Sequence, residues 1–75
     1  MDLATKQFLR DLGFRIRDRR LAREWTQAEL AHRCELHRTF IGSVERGERN
    51  LSILNLRRIA KILRVSPAEL LADLA

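Results

Sequence analysis

Arginine is the side chain with the greatest capacity for directed polar contacts in this sequence. Lys6 and Lys61 are the only lysines among 15 basic residues, and 10 acidic residues leave a formal net charge of +5. The guanidinium group offers a planar pair of donors that fits a phosphate or a guanine edge better than lysine does. A small basic protein of this kind favours a polyanionic partner, nucleic acid before a membrane surface. A solvated charged surface is the alternative that charge alone leaves open.

Other chemistry-bearing residues give weaker signals. His32, Cys34 and His37 are close in sequence, but residues two apart on a helix point about 200° apart. No fourth ligand follows at a suitable spacing, so we expect no metal site. Without a nucleophile elbow or a glycine-rich phosphate loop, we expect neither an enzyme nor a cofactor. The single cysteine excludes an internal disulfide framework and fits a cytoplasmic protein, with Cys34 as a small core residue.

The pattern of the 75 residues predicts a single all-α domain. Leu, Ala, Arg and Glu are abundant, tyrosine is absent, and no apolar run approaches the roughly 20 residues of a membrane span. Capping boxes at Thr26 and Ser66, with a glutamate three residues later, mark two helix starts, and Ser52 is a third cap candidate. Gly47 suits a helix end with a positive φ. The predicted helices are 4–23, 27–34, 38–46, 53–63 and 67–73.

The second and third predicted helices form the informative pair. They are about eight or nine residues long, carry apolar residues on one face each, and are separated by only three residues. Such short amphipathic helices must cross steeply to share a core, so a helix-turn-helix is predicted over about 26–47. The second helix of the pair would direct the following residues outward: Arg38, Thr39, Gly42, Ser43 and Arg46.

The sequence resembles the lambdoid-repressor-like, Xre-type helix-turn-helix family. The resemblance rests on WTQAELA at 25–31, RTFI at 38–41, VERG at 44–47 and LRRIAKIL at 56–63. Within that family, HRTFI at 37–41 and ERGERN at 45–50 are most similar to the controller proteins of restriction–modification systems. The resemblance implies a five-helix lambda-repressor-like fold and a sequence-specific regulator that binds a near-palindromic double-stranded DNA operator as a homodimer. RNA polymerase is a further candidate partner.

The resemblance also assigns roles to individual residues. Arg38, Thr39 and Ser43 would contact bases, because the start of a recognition helix reaches deepest into the major groove. The residues placed for the DNA backbone are Gln27, His37, Phe40, Arg46, Arg49 and Asn50. His37 would also cap the recognition helix. A solvated helix face is the alternative for all of these.

Arg20 is expected to have a structural role. It continues the core-facing stripe of Leu9, Leu12 and Ile16 on the first helix, and a charge drawn toward a core requires a partner. The family pairs this arginine with an acidic residue at the end of the recognition helix, which is Glu45 here. Arg20 and Glu45 are therefore predicted to form a structural clamp.

Apolar residues after 50 exceed what the predicted core requires. The expected dimerisation region is about 51–75, and the surplus residues are Leu51, Ile53, Leu54, Leu71 and Leu74. An exposed apolar patch on a small domain indicates a partner, although some of these residues could instead close the base of the monomer.

The sequence departs from the family at several positions. Glu24, Glu35 and Arg64 stand where the family usually has glycine after a helix. If these positions keep a positive φ, each costs about 1 kcal/mol relative to glycine. Phe40 replaces a common tyrosine of controllers, and Leu51 replaces a common proline. Two alternatives to a controller remain: a phage-type repressor or antitoxin of the same family, and an RNA-binding or protein-interaction module.

Overall fold

The computed structural model describes residues 1–74, which form five α-helices and no strand. The helices are α1 (Leu3–Ala22), α2 (Gln27–Cys34), α3 (Arg38–Glu45), α4 (Ile53–Leu63) and α5 (Pro67–Leu71). The predicted all-α, five-helix architecture is confirmed.

Polar side chains fix the helix starts. Thr26 Oγ1 accepts the Glu29 N–H at 3.0 Å while Glu29 Oε1 accepts the Thr26 N–H at 3.1 Å, so this capping box has both of its hydrogen bonds. The box at Ser66 is also complete, with both bonds at 3.1 Å. Ser52 Oγ caps α4 by accepting the Asn55 N–H at 3.1 Å. These three helices begin at the predicted residues.

The helix ends depart from the predictions by one or two residues. The first and third helices stop at Ala22 and Glu45, one residue earlier than expected. The fifth stops at Leu71 rather than 73, because Ala72 has an extended ψ of 131° and Asp73 a φ of 62°. Arg15 Nη1 donates to the carbonyls of Leu70 and Ala72. This arginine of α1 therefore satisfies carbonyls that the short helix leaves without intrahelical partners.

Three non-glycine residues adopt the left-handed conformation that the family pattern implied. The φ angles of Glu24, Glu35 and Arg64 are 59°, 57° and 59°. Gly47 has a φ of 75°, as its position after α3 predicted. The turns after α1, α2 and α4 are thus made without glycine, at the backbone cost estimated from the sequence.

One core joins all five helices. Its largest fully buried side chains, each less than 2% exposed, are Ile16, Leu30, Cys34, Ile41, Ile59 and Leu70. The α1 and α3 backbones approach so closely at Gly13 that a Cβ there would lie 2.4 Å from the carbonyl oxygen of Val44. Burial raises the pKa of the Cys34 thiol to about 11, as suits a cysteine used as a small core residue.

Candidate nucleic-acid interface

The turn between α2 and α3 is short, and the first two backbone N–H groups after α2 are both hydrogen-bonded. The Glu35 and Leu36 N–H groups donate to the carbonyls of His32 and Ala31 at 3.1 and 2.9 Å. The left-handed backbone at Glu35 allows this closure. His37 Nδ1 then accepts the Thr39 N–H at 3.1 Å, so His37 is the N-cap of α3. The turn of the helix-turn-helix is therefore held by backbone hydrogen bonds at its start and by a side-chain cap at its end.

A buried ion pair anchors the end of α3. Arg20 Nε lies 2.7 Å from Glu45 Oε2 and Arg20 Nη2 lies 2.9 Å from Glu45 Oε1. The side chains are only 8% and 2% exposed. Arg20 Nη1 also donates to the Trp25 carbonyl at 2.7 Å, and Gln27 Nε2 donates to Glu45 Oε1 at 3.0 Å. The structure thus brings together the two residues of the predicted clamp and adds a third polar side chain, Gln27.

The first turn of α3 presents the side chains predicted to contact bases. Arg38 and Thr39 are both exposed, and within residues 1–74 their side chains form neither a hydrogen bond nor an ion pair. Ser43 is half-buried, and its Oγ donates to the Phe40 carbonyl at 2.8 Å. Arg38 and Thr39 therefore remain free for a ligand, whereas the Ser43 hydroxyl retains only its capacity to accept.

The helical periodicity predicted that Gly42 faces outward, but this prediction is wrong. It is buried, and a Cβ built on it would lie 3.1 Å from Arg46 Nη1 and 3.3 Å from Gln27 Oε1. Because glycine has no side chain, two longer neighbours fold across it. The consequence is that Gln27 of α2 and Arg46 after α3 meet over the same point of α3.

The other residues predicted to contact the DNA backbone differ in their surroundings. Arg46 Nε lies 3.2 Å from Glu48 Oε2, and both side chains are more than half exposed. The Arg49 guanidinium lies 5.3 Å from the centre of the Phe40 ring, and Phe40 is half-buried against the core. Asn50 is exposed. Sequence reasoning missed Glu48 as the ion-pair partner of Arg46; its only signal was an acidic residue two positions later.

Comparison with known proteins establishes the family. The helix-turn-helix family model HTH_3 matches residues 16–70, which include the last third of α1, all of α2, α3 and α4, and most of α5. The chain belongs to the HTH_3 helix-turn-helix family. It is a helix-turn-helix DNA-binding regulator similar to the controller proteins of restriction–modification systems.

Three relatives of this helix-turn-helix protein illustrate the similarity. The control protein C.BamHI of Bacillus amyloliquefaciens is 45% identical over 60 residues, which are 79% of this chain and 74% of the relative. The crystal structure of the controller protein C.AhdI from Aeromonas hydrophila has a TM-score of 0.80 at 40% identity, covering 83% of this chain and 94% of that one. A structure of the C.Esp1396I nucleoprotein complex has a TM-score of 0.77 at 39% identity, covering 89% and 87%.

The five residues predicted for a dimer interface separate into two groups. Ile53 and Leu54, at the start of α4, are 71% and 70% exposed. Leu51, Leu71 and Leu74 are only partly exposed and pack against the monomer's own core. The expectation that all five are surplus to the core is therefore wrong for the last three, because each of them packs partly against it.

Two further properties of residues 1–74 concern membrane-spanning helices and groups of metal-binding side chains. No helix within residues 1–74 is both long and apolar enough to cross a membrane. In the same part of the chain, no three His, Cys, Asp or Glu side chains gather into a group that could hold a metal ion.

Proposed function

We propose that this protein is a homodimeric transcriptional regulator of the controller type that reads a near-palindromic operator with α3. The observation that carries the proposal is the first turn of α3, where Arg38 and Thr39 are free while the end of the same helix is held by the Arg20–Glu45 pair. A recognition helix needs both free side chains and a fixed position, since exposed donors discriminate between bases only when their orientation is fixed.

Arg38 and Thr39 supply complementary contacts in the major groove. The Arg38 guanidinium would donate two hydrogen bonds to O6 and N7 of a guanine, and the Thr39 methyl would pack on a thymine methyl. Ser43 lies one turn further along and would accept a hydrogen bond from a base amino group, because its own proton is given to Phe40.

The surrounding polar residues would hold the DNA backbone. Gln27 lies at the N-terminus of α2, where free N–H groups and the helix dipole favour a phosphate. Arg46 would exchange Glu48 for a phosphate, an exchange that is cheap because an exposed ion pair contributes little. The remaining candidates are His37, Phe40, Arg49 and Asn50, with Phe40 limited to its backbone and ring edge because it lacks a hydroxyl.

The proposed dimer contact centres on Ile53 and Leu54. Two large apolar side chains, each about 70% exposed on one helix start, favour burial against a second copy. Leu51, Leu71 and Leu74 would border that contact with the parts that the core leaves uncovered. A two-fold dimer would place two copies of α3 about one DNA turn apart, about 34–36 Å, and so read inverted half-sites.

The controller assignment rests on relatives named as control or controller proteins, one of them in a nucleoprotein complex. Under this proposal, residues 1–75 act as one domain that regulates its own operon and an endonuclease gene, with RNA polymerase as a further partner. Neither a toxin partner nor an RNA ligand has a comparable observation in its favour.

Binding-site selection on the wild type, Arg38→Ala and Arg46→Ala at two salt concentrations tests the readout. Arg38→Ala should lose about 1–3 kcal/mol and relax the preference at one base pair in each half-site. Arg46→Ala should weaken binding to all sequences alike and reduce the salt dependence, since fewer counterions are released. If Arg38→Ala keeps the wild-type base preferences while losing affinity uniformly, Arg38 contacts phosphate and the assignment is wrong.

Sedimentation tests the dimer. Leu54→Glu should shift the protein toward monomer and weaken operator binding without unfolding it. Leu21→Glu is the matched control, because Leu21 is also an exposed apolar residue but lies on α1. A wild type that sediments as a monomer at tens of micromolar, or a Leu21→Glu variant that dissociates as readily as Leu54→Glu, would contradict the proposed interface.

A further inference from the structure

A basic cavity, wide open to solvent, lies where the ends of α1 and α4 meet the start of α2. Its volume is about 440 Å³, and its lining residues are Arg19, Ala22, Arg23, Trp25, Leu63, Arg64 and Val65. Three of the seven are arginines and none is acidic. None is among the residues proposed to contact DNA, so the cavity is a separate feature of the molecule.

The three arginines retain most of their hydrogen-bonding capacity. Arg23 Nε donates to the Leu63 carbonyl at 3.2 Å, while its two terminal nitrogens have no hydrogen-bond partner within residues 1–74. Arg19 Nη2 lies 3.6 Å from Glu69 Oε2 in a pair that is half exposed on both sides, and such pairs are weak. The Arg64 side chain forms neither a hydrogen bond nor an ion pair within the same residues. Each of the three can therefore donate to a ligand.

The backbone at Arg64 determines where its side chain begins. Its φ of 59° ends α4 in the left-handed conformation, where glycine would avoid the steric cost of a Cβ. An arginine at this position keeps that cost and in return contributes a third guanidinium to the cavity. Glu24 and Glu35 keep the same conformation without lining the cavity, so what distinguishes Arg64 is the guanidinium that it places there.

The chemistry of the cavity selects its ligand. Guanidinium groups recognise phosphate through paired, charge-assisted hydrogen bonds. Trp25 is the only aromatic residue in the lining. The Arg23 and Arg33 guanidinium groups already lie over its ring, at 5.3 and 4.3 Å from the ring centre. Recognition therefore depends on charge rather than on stacking of a ligand ring. We propose that this cavity binds the phosphate groups of a small phosphorylated molecule.

Trp25 provides a direct assay because it is the only tryptophan in the chain. Titration with pyrophosphate should give a saturable change in Trp25 fluorescence that sodium chloride of equal ionic strength does not reproduce. Arg64→Gly should weaken pyrophosphate binding about tenfold or more, since it removes one charge-assisted donor, and should raise the melting temperature because the strain is relieved. Glu35→Gly is the matched control: it relieves the same strain outside the cavity and should leave the affinity within about twofold.

Two results would overturn the proposal. The first is a pyrophosphate titration that does not saturate, or that is the same for Arg64→Gly as for the wild type. The second result would show that the cavity binds a phosphate of DNA, and it comes from measuring the affinity for a random-sequence DNA duplex in the absence of pyrophosphate. If Arg64→Gly loses more affinity for this duplex than Arg17→Ala, which removes an exposed charge of α1, the cavity holds a DNA phosphate rather than a small molecule.

Discussion

Replacing Arg20 with alanine would leave the Glu45 carboxylate buried with only the Gln27 amide as a hydrogen-bond partner. Glu45 is 2% exposed in its side chain, so in the folded protein its charge is balanced by the two hydrogen bonds, at 2.7 and 2.9 Å, that the guanidinium supplies. Removing one partner of a buried pair costs about 3–5 kcal/mol. A chain of 75 residues has a total stability of roughly 4–11 kcal/mol. The substitution therefore removes a large share of it.

Thermal and urea unfolding followed by circular dichroism would measure this loss. For a domain of this size, the expected cost corresponds to a drop in Tm of roughly 12–40 °C. Arg19→Ala is the matched control, because Arg19 forms a half-exposed ion pair on the same helix, and should cost less than about 1 kcal/mol. A double-mutant cycle with Glu45→Ala should give a coupling of about 0.5–3 kcal/mol. Additive effects in that cycle, or a loss from Arg20→Ala no larger than that from Arg19→Ala, would refute the reasoning.

Two further predictions concern the helix ends. Glu35→Gly should stabilise the fold by about 1 kcal/mol, since the left-handed conformation at φ 57° costs glycine nothing; a lower urea midpoint than the wild type would contradict this. Hydrogen bonds from Thr26 lower the pKa of Glu29 from 4.5, so the stability that Glu29 contributes is present above pH 4.5 and is lost as the pH falls through the lowered value. Acid titration of Glu29→Gln should show a shallower loss of stability below pH 4.5, and an unchanged profile would count against the capping box as its source.

Local signals in the sequence were sufficient for the helices. The starts at Thr26, Ser52 and Ser66 were predictable because capping depends on residues only three positions apart. The end of α5 was not predictable from periodicity, because it depends on the backbone turn at Ala72 and Asp73.

The family pattern was sufficient to predict the residue pair Arg20 and Glu45. It was not sufficient for contacts that form only when distant parts of the chain pack together. Arg20 and Glu45 meet as expected, but the burial of Gly42 depends on the side chains of Gln27 and Arg46 crossing it. Leu71 has the same apolar character as an interface residue, and only its packing on the core distinguishes the two roles. The basic cavity has no sequence signature, since only folding brings Arg19 and Arg23, at the end of α1, next to Arg64 at the end of α4.

The close approach at Gly13 brings α1 and α3 together as one packed unit. With a carbonyl only 2.4 Å from where a Cβ would be, no larger residue fits between the two backbones unless one of them shifts. The 20 residues of α1 extend about 30 Å, which matches the longest dimension of the described chain, 31 Å. The recognition helix is therefore joined to the long helix at two points, near the middle of α1 at Gly13 and near its end at the Arg20–Glu45 pair, so the orientation of α3 is tied to that of α1.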